Sequence, residues 1–238
     1  MPEPTRICLV VPTYNERDNI VPLLEAVRAT RDQFTSILFV DDSSPDGTAD
    51  VIRDEAGRDP MVNLMVRKVK MGIGSAYQEG FREAIRLVSP QVVVQMDADL
   101  QHPPSAIGDL VREVEGGADV AIASRYIPGG GSSAWSRWRR MVSRGANAYA
   151  RTMLRLKVKD ATSGFRAFSK EAAEEITNAG LPAKGFEFQV ATLRLLQGKK
   201  MKMVEVPYTF SKRSIGKSKL KFRDVVRFFF SVLSLSLS

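Results

Sequence analysis

Residues 91–104 read QVVVQMDADLQHPP. A run of β-branched and apolar residues stops abruptly at two aspartates, Asp97 and Asp99, one residue apart. Continuous apolar runs of this kind suit a strand buried on both faces. Two neighbouring carboxylates repel each other unless a cation lies between them or water screens them. The stretch therefore joins a buried strand to an acidic end, and the same design recurs on either side of it. RICLVVP runs into PTYNE, SILFVDD into SSPDG, and DVAIAS into SRY, with VNLMVRK as a further strand. Helical patterns separate them, from about Asp18 to Thr30, Thr48 to Gly57, Ser75 to Val88 and Pro104 to Gly116. Buried strands alternating with helices predict an α/β fold, a Rossmann-like and mainly parallel sheet flanked by helices. In such sheets ligands bind outside the carboxyl ends of the strands.

The later chain changes character. PGGGSSAWSRWRRMVSRGANAYARTML begins as a glycine-serine loop and becomes a basic helix. ATSGFRAF reads as a short strand with turn chemistry, followed by helices near Glu171–Asn178 and Glu187–Leu196. MKMVEVPYTF is another strand, and SKRSIGKSKLKFR is a basic loop leading into a final helix. The expected division is a catalytic domain over residues 1–222 and a C-terminal amphipathic, membrane-associated helix over 223–238.

Composition narrows the classes. The chain has 238 residues, 44% of them hydrophobic, and can bury a substantial core. Lys+Arg 35 against Asp+Glu 27 gives a formal net charge of +8. That balance serves solubility, nucleic acid, an anionic membrane surface or phosphorylated substrates. The single cysteine, Cys8, sits in the first apolar run, reads as core, and points to a reducing compartment. The N-terminus does not have the form of a signal peptide. The final apolar-serine run is shorter than the roughly 20 residues that span a bilayer.

In DADLQ, an extended backbone would put Asp97, Asp99 and Gln101 on one side. Three side-chain oxygens there suit a hard cation, Mg2+ or Mn2+. Against this, an isolated DxD also serves as a helix cap beside a solvated acid. His102, the only histidine, reads as a loop residue before the prolines, and zinc is not expected. Ser43 to Gly47 fits turn chemistry, with Asp46 as a helix cap. Asp41 and Asp42 are less well covered by that account and are candidates to accept from a base or ribose. MGIGSAY lacks the Lys-Ser/Thr ending of a P-loop and reads as a tight turn into a helix.

Taken in order, VVPTYNE, VDDSSPDGT, MDADLQHPP, ASRY, RMVSRGAN, SGFRAF, EVPYTF and GKSK resemble a family-2 glycosyltransferase of GT-A fold. Within that family the chain is most similar to polyprenol- or dolichol-phosphate mannose synthases. The resemblance implies a nucleotide pocket lined by Pro12, Tyr14, Glu16, Val40 and Asp42, with Met96, Asp97 and Ala98 touching the donor. It implies Asp97, Asp99 and Gln101 on the metal, Arg125 facing phosphates, and Arg139 and Ser143 gripping the acceptor's lipid phosphate. Arg213 and Lys219 would close over the donor, although Lys217 stands where family members often carry an acid. The implied reaction is metal-dependent, inverting transfer of mannose from GDP-mannose to a polyprenyl or dolichyl phosphate, with no dedicated general base. UDP-sugar transfer to the same acceptor is the alternative.

The implied setting is peripheral, on the cytoplasmic face of a membrane. Trp135 and Trp138 among the arginines, and Phe228, Phe229, Phe230, Val232 and Leu233 beside Arg223 and Arg227, suit an interface. A packed core helix is the competing reading of that final stretch, and a membrane-anchoring protein partner stays open. Nucleic acid is not the expected partner, because duplex binding leaves DADLQ and DDSSPDG without a role. A processive polysaccharide synthase lacks support, since no QxxRW block is present.

Overall fold

The computed structural model describes residues 5–30, 34–132, 135–211 and 222–237. Among the described residues, seven strands form one sheet: β1 (Ile7–Thr13), β2 (Ser36–Asp41), β3 (Val62–Val66), β4 (Val92–Gln95), β5 (Val120–Ser124), β6 (Arg166–Ser169) and β7 (Met203–Pro207). Their order is β3-β2-β1-β4-β6-β5-β7. Every pairing is parallel except those of β6, which runs antiparallel between β4 and β5. The helices are α1 (Arg17–Arg28), α2 (Thr48–Ala56), α3 (Ile73–Val88), α4 (Ile107–Glu115), α5 (Arg137–Leu154), α6 (Lys170–Ala179), α7 (Phe188–Gly198) and α8 (Phe222–Leu237).

Alternation along the strands divides the core into two layers. Leu9, Val11, Ile37, Phe39 and Val94 face one side and pack with Ile20 and Leu24 of α1 and Leu110 and Val114 of α4. Cys8, Val10, Leu38, Val40 and Val93 face the other and pack with Tyr77 and Phe81 of α3, Ile176 of α6 and Leu193 of α7. This double coverage explains why the strands read as unbroken apolar runs. Cys8 is fully buried there, and burial pushes its thiol up to about 12. Gly80 lets α3 settle on the sheet: a Cβ would sit 2.6 Å from Val10 and 2.9 Å from Val40.

Chain order creates a cleft. From β1 the chain moves outward through β2 to β3, then returns to place β4 on the other side of β1. At such a switch the loops leaving neighbouring strands diverge and open a crevice. The loops after β1 and β4 flank it.

Three expectations change. The strand read through Asp97 ends at Gln95, which pairs with Val10 and Arg166, and DADLQ is a turn. Leu100 has φ +60, so the period-two argument for Asp97, Asp99 and Gln101 does not apply. The helix read from Pro104 begins as a 3-10 turn, Pro104–Ala106, before α4. α8 packs on α5 and α7, and its Phe228 and Val232 are buried, which corrects the lipid-facing assignment of those two. Among the described residues, no helix is long and apolar enough to cross a membrane.

Candidate active site

Three non-glycine residues with left-handed backbone mark the rim. Asn15 (φ 52), Ser43 (φ 57) and Leu100 (φ 60) lie in the loops after β1, β2 and β4. Others of this kind, such as Ser89 and Arg155, cap the ends of α3 and α5, an ordinary use. At the strand ends the conformation costs on the order of 1 kcal/mol each and collects where ligands are held.

The β4 turn is anchored from below. Asp97 Oδ1 accepts the Tyr77 hydroxyl of α3 at 2.9 Å, and the Asp97 N–H donates to His102 Nδ1 at 3.2 Å. Asp99 is buried, and its Oδ1 accepts the Gln101 N–H at 3.1 Å. Gln101 is tied to Ser211 twice, its Nε2 donating to the Ser211 carbonyl and its own carbonyl accepting the Ser211 N–H. His102 is buried, stacked on Phe165 with ring centres 5.1 Å apart and edge-on to Phe210 at 5.8 Å. Burial pushes the Asp97 carboxyl up, and the charges of Asp99 and Glu16 push the same way, against His102 and the Tyr77 hydroxyl. Crowded negative charge of this kind is what a bound cation relieves. Among the described residues no three His, Cys, Asp or Glu side chains form a complete metal cage. The acids and amide of this turn therefore fit Mg2+ or Mn2+ only if substrate and water oxygens complete the shell, as is usual for Mg2+.

The side formed by the β1 and β2 loops is firmly braced. Asp42 Oδ1 accepts from Arg67 Nη1 at 2.8 Å and from the Met71 N–H, and its Oδ2 accepts from the Gly72 N–H. Arg67 also donates to Ser75 and Glu79. Asp41 accepts from Thr13 and the Ser44 N–H, so it holds the loop in shape. Asp46 does serve helix starts, accepting the N–H of Thr48 and of Arg17. Pro12, Tyr14 and Glu16 are half-buried at the end of β1, and Lys70 Nζ lies 3.2 Å from the centre of the Tyr14 ring. The side chains of Val40, Met96 and Ala98 belong to the core.

The opposite side is cationic. Arg125, just past β5, is buried against Asp160, with Nε and Nη2 each 2.7 Å from a carboxylate oxygen and its N–H on the same group. Burial works to raise the Asp160 carboxyl, but the charge and hydrogen bonds of Arg125 outweigh it and hold it below the usual range. Ser136 caps α5 by accepting the Arg139 N–H. Arg139 and Ser143 follow one turn apart on one face. Ser143 Oγ lies 2.8 Å from the Tyr126 hydroxyl. Trp135 lies close to both arginines, its ring centre 5.2 Å from Arg125 Cζ and 4.6 Å from Arg139 Cζ.

The turn with Asp97, Asp99 and Gln101 and the cluster of Arg125, Arg139 and Ser143 meet through one aromatic layer. Phe210 touches the His102 ring, the Trp135 ring at 4.9 Å, and Arg125 at 5.8 Å. Arg213 and Lys219 lie outside the described residues. Tyr77, Arg67, Asp160 and Trp135 were not assigned to the site from sequence. The signals were faint: an arginine closing a strand, an aspartate beside SGFR, and a tyrosine that passes as core; Trp135, read from sequence as an interfacial residue, is instead buried. A cavity of about 320 Å³ lined by Lys157, Met201 and Glu205 lies at the β7 edge, near the start of that strand, away from this rim.

A mainly parallel sheet with an acidic turn at its switch point and a cationic cluster opposite has the architecture of a GT-A fold. Residues 8–177 match glycosyl transferase family 2, and the chain belongs to that family. It is 39% identical over 229 residues to the polyprenol monophosphomannose synthase of Mycolicibacterium smegmatis, covering 95% of this chain and 85% of that one. It is 38% identical to the undecaprenyl-phosphate mannosyltransferase of Micrococcus luteus, covering 90% and 87%. Among solved structures it resembles glucosyl-3-phosphoglycerate synthase from Mycobacterium tuberculosis bound to UDP, with TM-score 0.71, 18% identity, and 98% and 79% of the two chains covered. It also resembles a mannosyltransferase from Pyrobaculum calidifontis in complex with GDP-Man and Mn2+, with TM-score 0.57, 19% identity, and 90% and 58% covered.

Proposed function

We propose that this protein transfers mannose from GDP-mannose to a polyprenyl phosphate with inversion, giving a β-linked lipid-phosphate mannose. One observation carries the reading: the acidic turn and the two-arginine cluster share the layer of His102, Phe210 and Trp135. A diphosphate with its cation and a second phosphate can thus be held side by side. The names of relatives at 39% and 38% identity favour a polyprenyl phosphate acceptor and mannose as the sugar. The neighbour bound to GDP-Man and Mn2+ favours that donor and a divalent ion.

Asp97, Asp99 and Gln101 would hold the ion, and Tyr77 and His102 keep the turn in place for it. When bound, the ion neutralises the donor diphosphate and makes it a better leaving group. Pro12, Tyr14, Glu16 and the Asp42–Arg67 brace form the wall toward the nucleotide. Arg213 and Lys219 are proposed to add positive charge over the diphosphate. Phosphate monoesters lose their second proton at about pH 6, so the nucleophile is already an anion and needs placement more than deprotonation. Arg125, Arg139 and Ser143 are proposed to place it. A phosphate oxygen then bonds to the anomeric carbon as the carbon–oxygen bond to GDP breaks, and the electron pair leaves with GDP.

We place the reaction at a membrane surface, on the cytoplasmic face. Trp138 (69% exposed), Met141 and Val142 of α5 stand among arginines, and Phe230 (70% exposed), Leu233 and Leu237 of α8 are also exposed. The experiment is incubation with GDP-mannose, farnesyl phosphate and Mg2+, beside UDP-glucose in place of the donor. β-Mannosyl lipid is expected from the first, and Asp99→Ala should lower its rate by about 100-fold or more. Turnover of UDP-glucose alone refutes the donor, and full activity of the variant refutes the metal turn.

A further inference from the structure

The cationic side of the site holds a buried donor for which the described residues supply no acceptor. Trp135 is 9% exposed, and its indole Nε1–H makes no hydrogen bond among the described residues. A buried indole N–H ordinarily finds a partner, because leaving it unmet costs free energy. Its surroundings name the kind of partner. Two guanidinium carbons lie 4.6 and 5.2 Å from the ring centre, those of Arg139 and Arg125. Phe210 meets the ring at 4.9 Å, inclined by 65°, and helps fix its orientation. Both guanidinium groups thus lie against the same ring. Asp160 and Thr162 occupy Nε and Nη2 of Arg125, while Nη1 takes no part in those bonds. On α5, Ser143 extends the same polar group through Tyr126.

We propose that Trp135 is a further acceptor-binding residue, its indole N–H donating to an oxygen of the lipid phosphate held between Arg125 and Arg139. This rests on the acceptor reading above. A phosphate suits the place better than a sugar hydroxyl, because it offers several acceptor oxygens and the charge that two guanidinium groups match. The ring face and the N–H then have separate tasks. The ring packs against the guanidinium groups, and the N–H adds a directional bond that the arginines alone do not provide.

The two tasks can be tested apart. The chain has two tryptophans, so Trp138→Phe leaves Trp135 as the sole indole reporter. Farnesyl phosphate should change its fluorescence saturably, and farnesol, which lacks the phosphate, should not. Trp135→Phe keeps an aromatic face and removes the N–H. Its KM for farnesyl phosphate should rise about ten-fold or more, the scale of one hydrogen bond to a charged group. Its KM for GDP-mannose and its affinity for GDP with Mg2+ should stay at the wild-type values. An unchanged acceptor KM, an equal rise in both KM values, or equal fluorescence responses to farnesol and farnesyl phosphate overturns the assignment. If Trp135→Phe does not fold, the fluorescence titration decides by itself. A wild-type protein that makes no mannosyl lipid sinks the proposed function; an active one indifferent to Trp135→Phe sinks only the role of Trp135.

Discussion

Arg125 and Asp160 carry more weight than the ion pairs on the surface. Arg53–Asp50 and Arg86–Glu83 join adjacent turns of exposed helix, where solvent screens such pairs and they add little to stability. The Arg125–Asp160 pair is buried on both sides, and removing one partner of such a pair costs about 3–5 kcal/mol. Its pH dependence follows from the depressed Asp160 carboxyl. The stabilisation is present above the unfolded value of about 3.9 and is lost as pH falls through the lower folded value. Asp160→Asn should therefore lower the urea midpoint at neutral pH, and the gap to wild type should narrow as pH drops from about 5 to about 2. A gap that stays constant would falsify the electrostatic account. No local signal in the sequence announced this pair. A buried arginine and an exposed one look alike until the chain brings an acid to meet one of them. Asp97 and Asp99 stood out as candidates because acids ending an apolar run are unusual. Tyr77 was not, because its spacing from Phe81 is that of an ordinary core face.

At the level of elements, α5 and α8 form a unit. The Tyr149 ring lies 4.7 Å from that of Phe229, and its hydroxyl donates to the Phe229 carbonyl. Inward residues Asn147, Ala150, Leu154, Phe228 and Val232 fix the pair to the body. Outward ones leave exposed apolar side chains beside basic ones, the composition of an interfacial surface. The double variant Trp138→Glu, Phe230→Glu should lower flotation with phosphatidylserine vesicles by about ten-fold or more while leaving GDP binding intact. Unaltered flotation would remove the membrane role of this face. The parallel strands and their helices could be read from sequence because each is a long, uniform pattern. β6 was seen as a strand but not as an antiparallel one. Four residues carry no mark of direction, and the connection before it is long enough to allow either.

For the molecule as a whole, nucleotide and cation should behave as one ligand. The acids of the β4 turn stand across the switch point from the β1 and β2 loops, so a diphosphate that bridges them ties both halves of the crevice together. GDP with Mn2+ should raise the melting temperature by several degrees, in proportion to ligand occupancy. GDP in EDTA should raise it much less. Equal shifts in both conditions argue against a shared site.

The antiparallel β6 has a further consequence, one of timing during synthesis. β3, β2, β1 and β4 are complete by residue 95, yet the free edge of β4 waits for Arg166–Ser169 to pair with it. Through those seventy-odd residues the growing chain displays a valine-rich border with unsatisfied amides, the kind of edge that recruits other strands. Fragments cut ahead of β6 would carry that sticky border permanently.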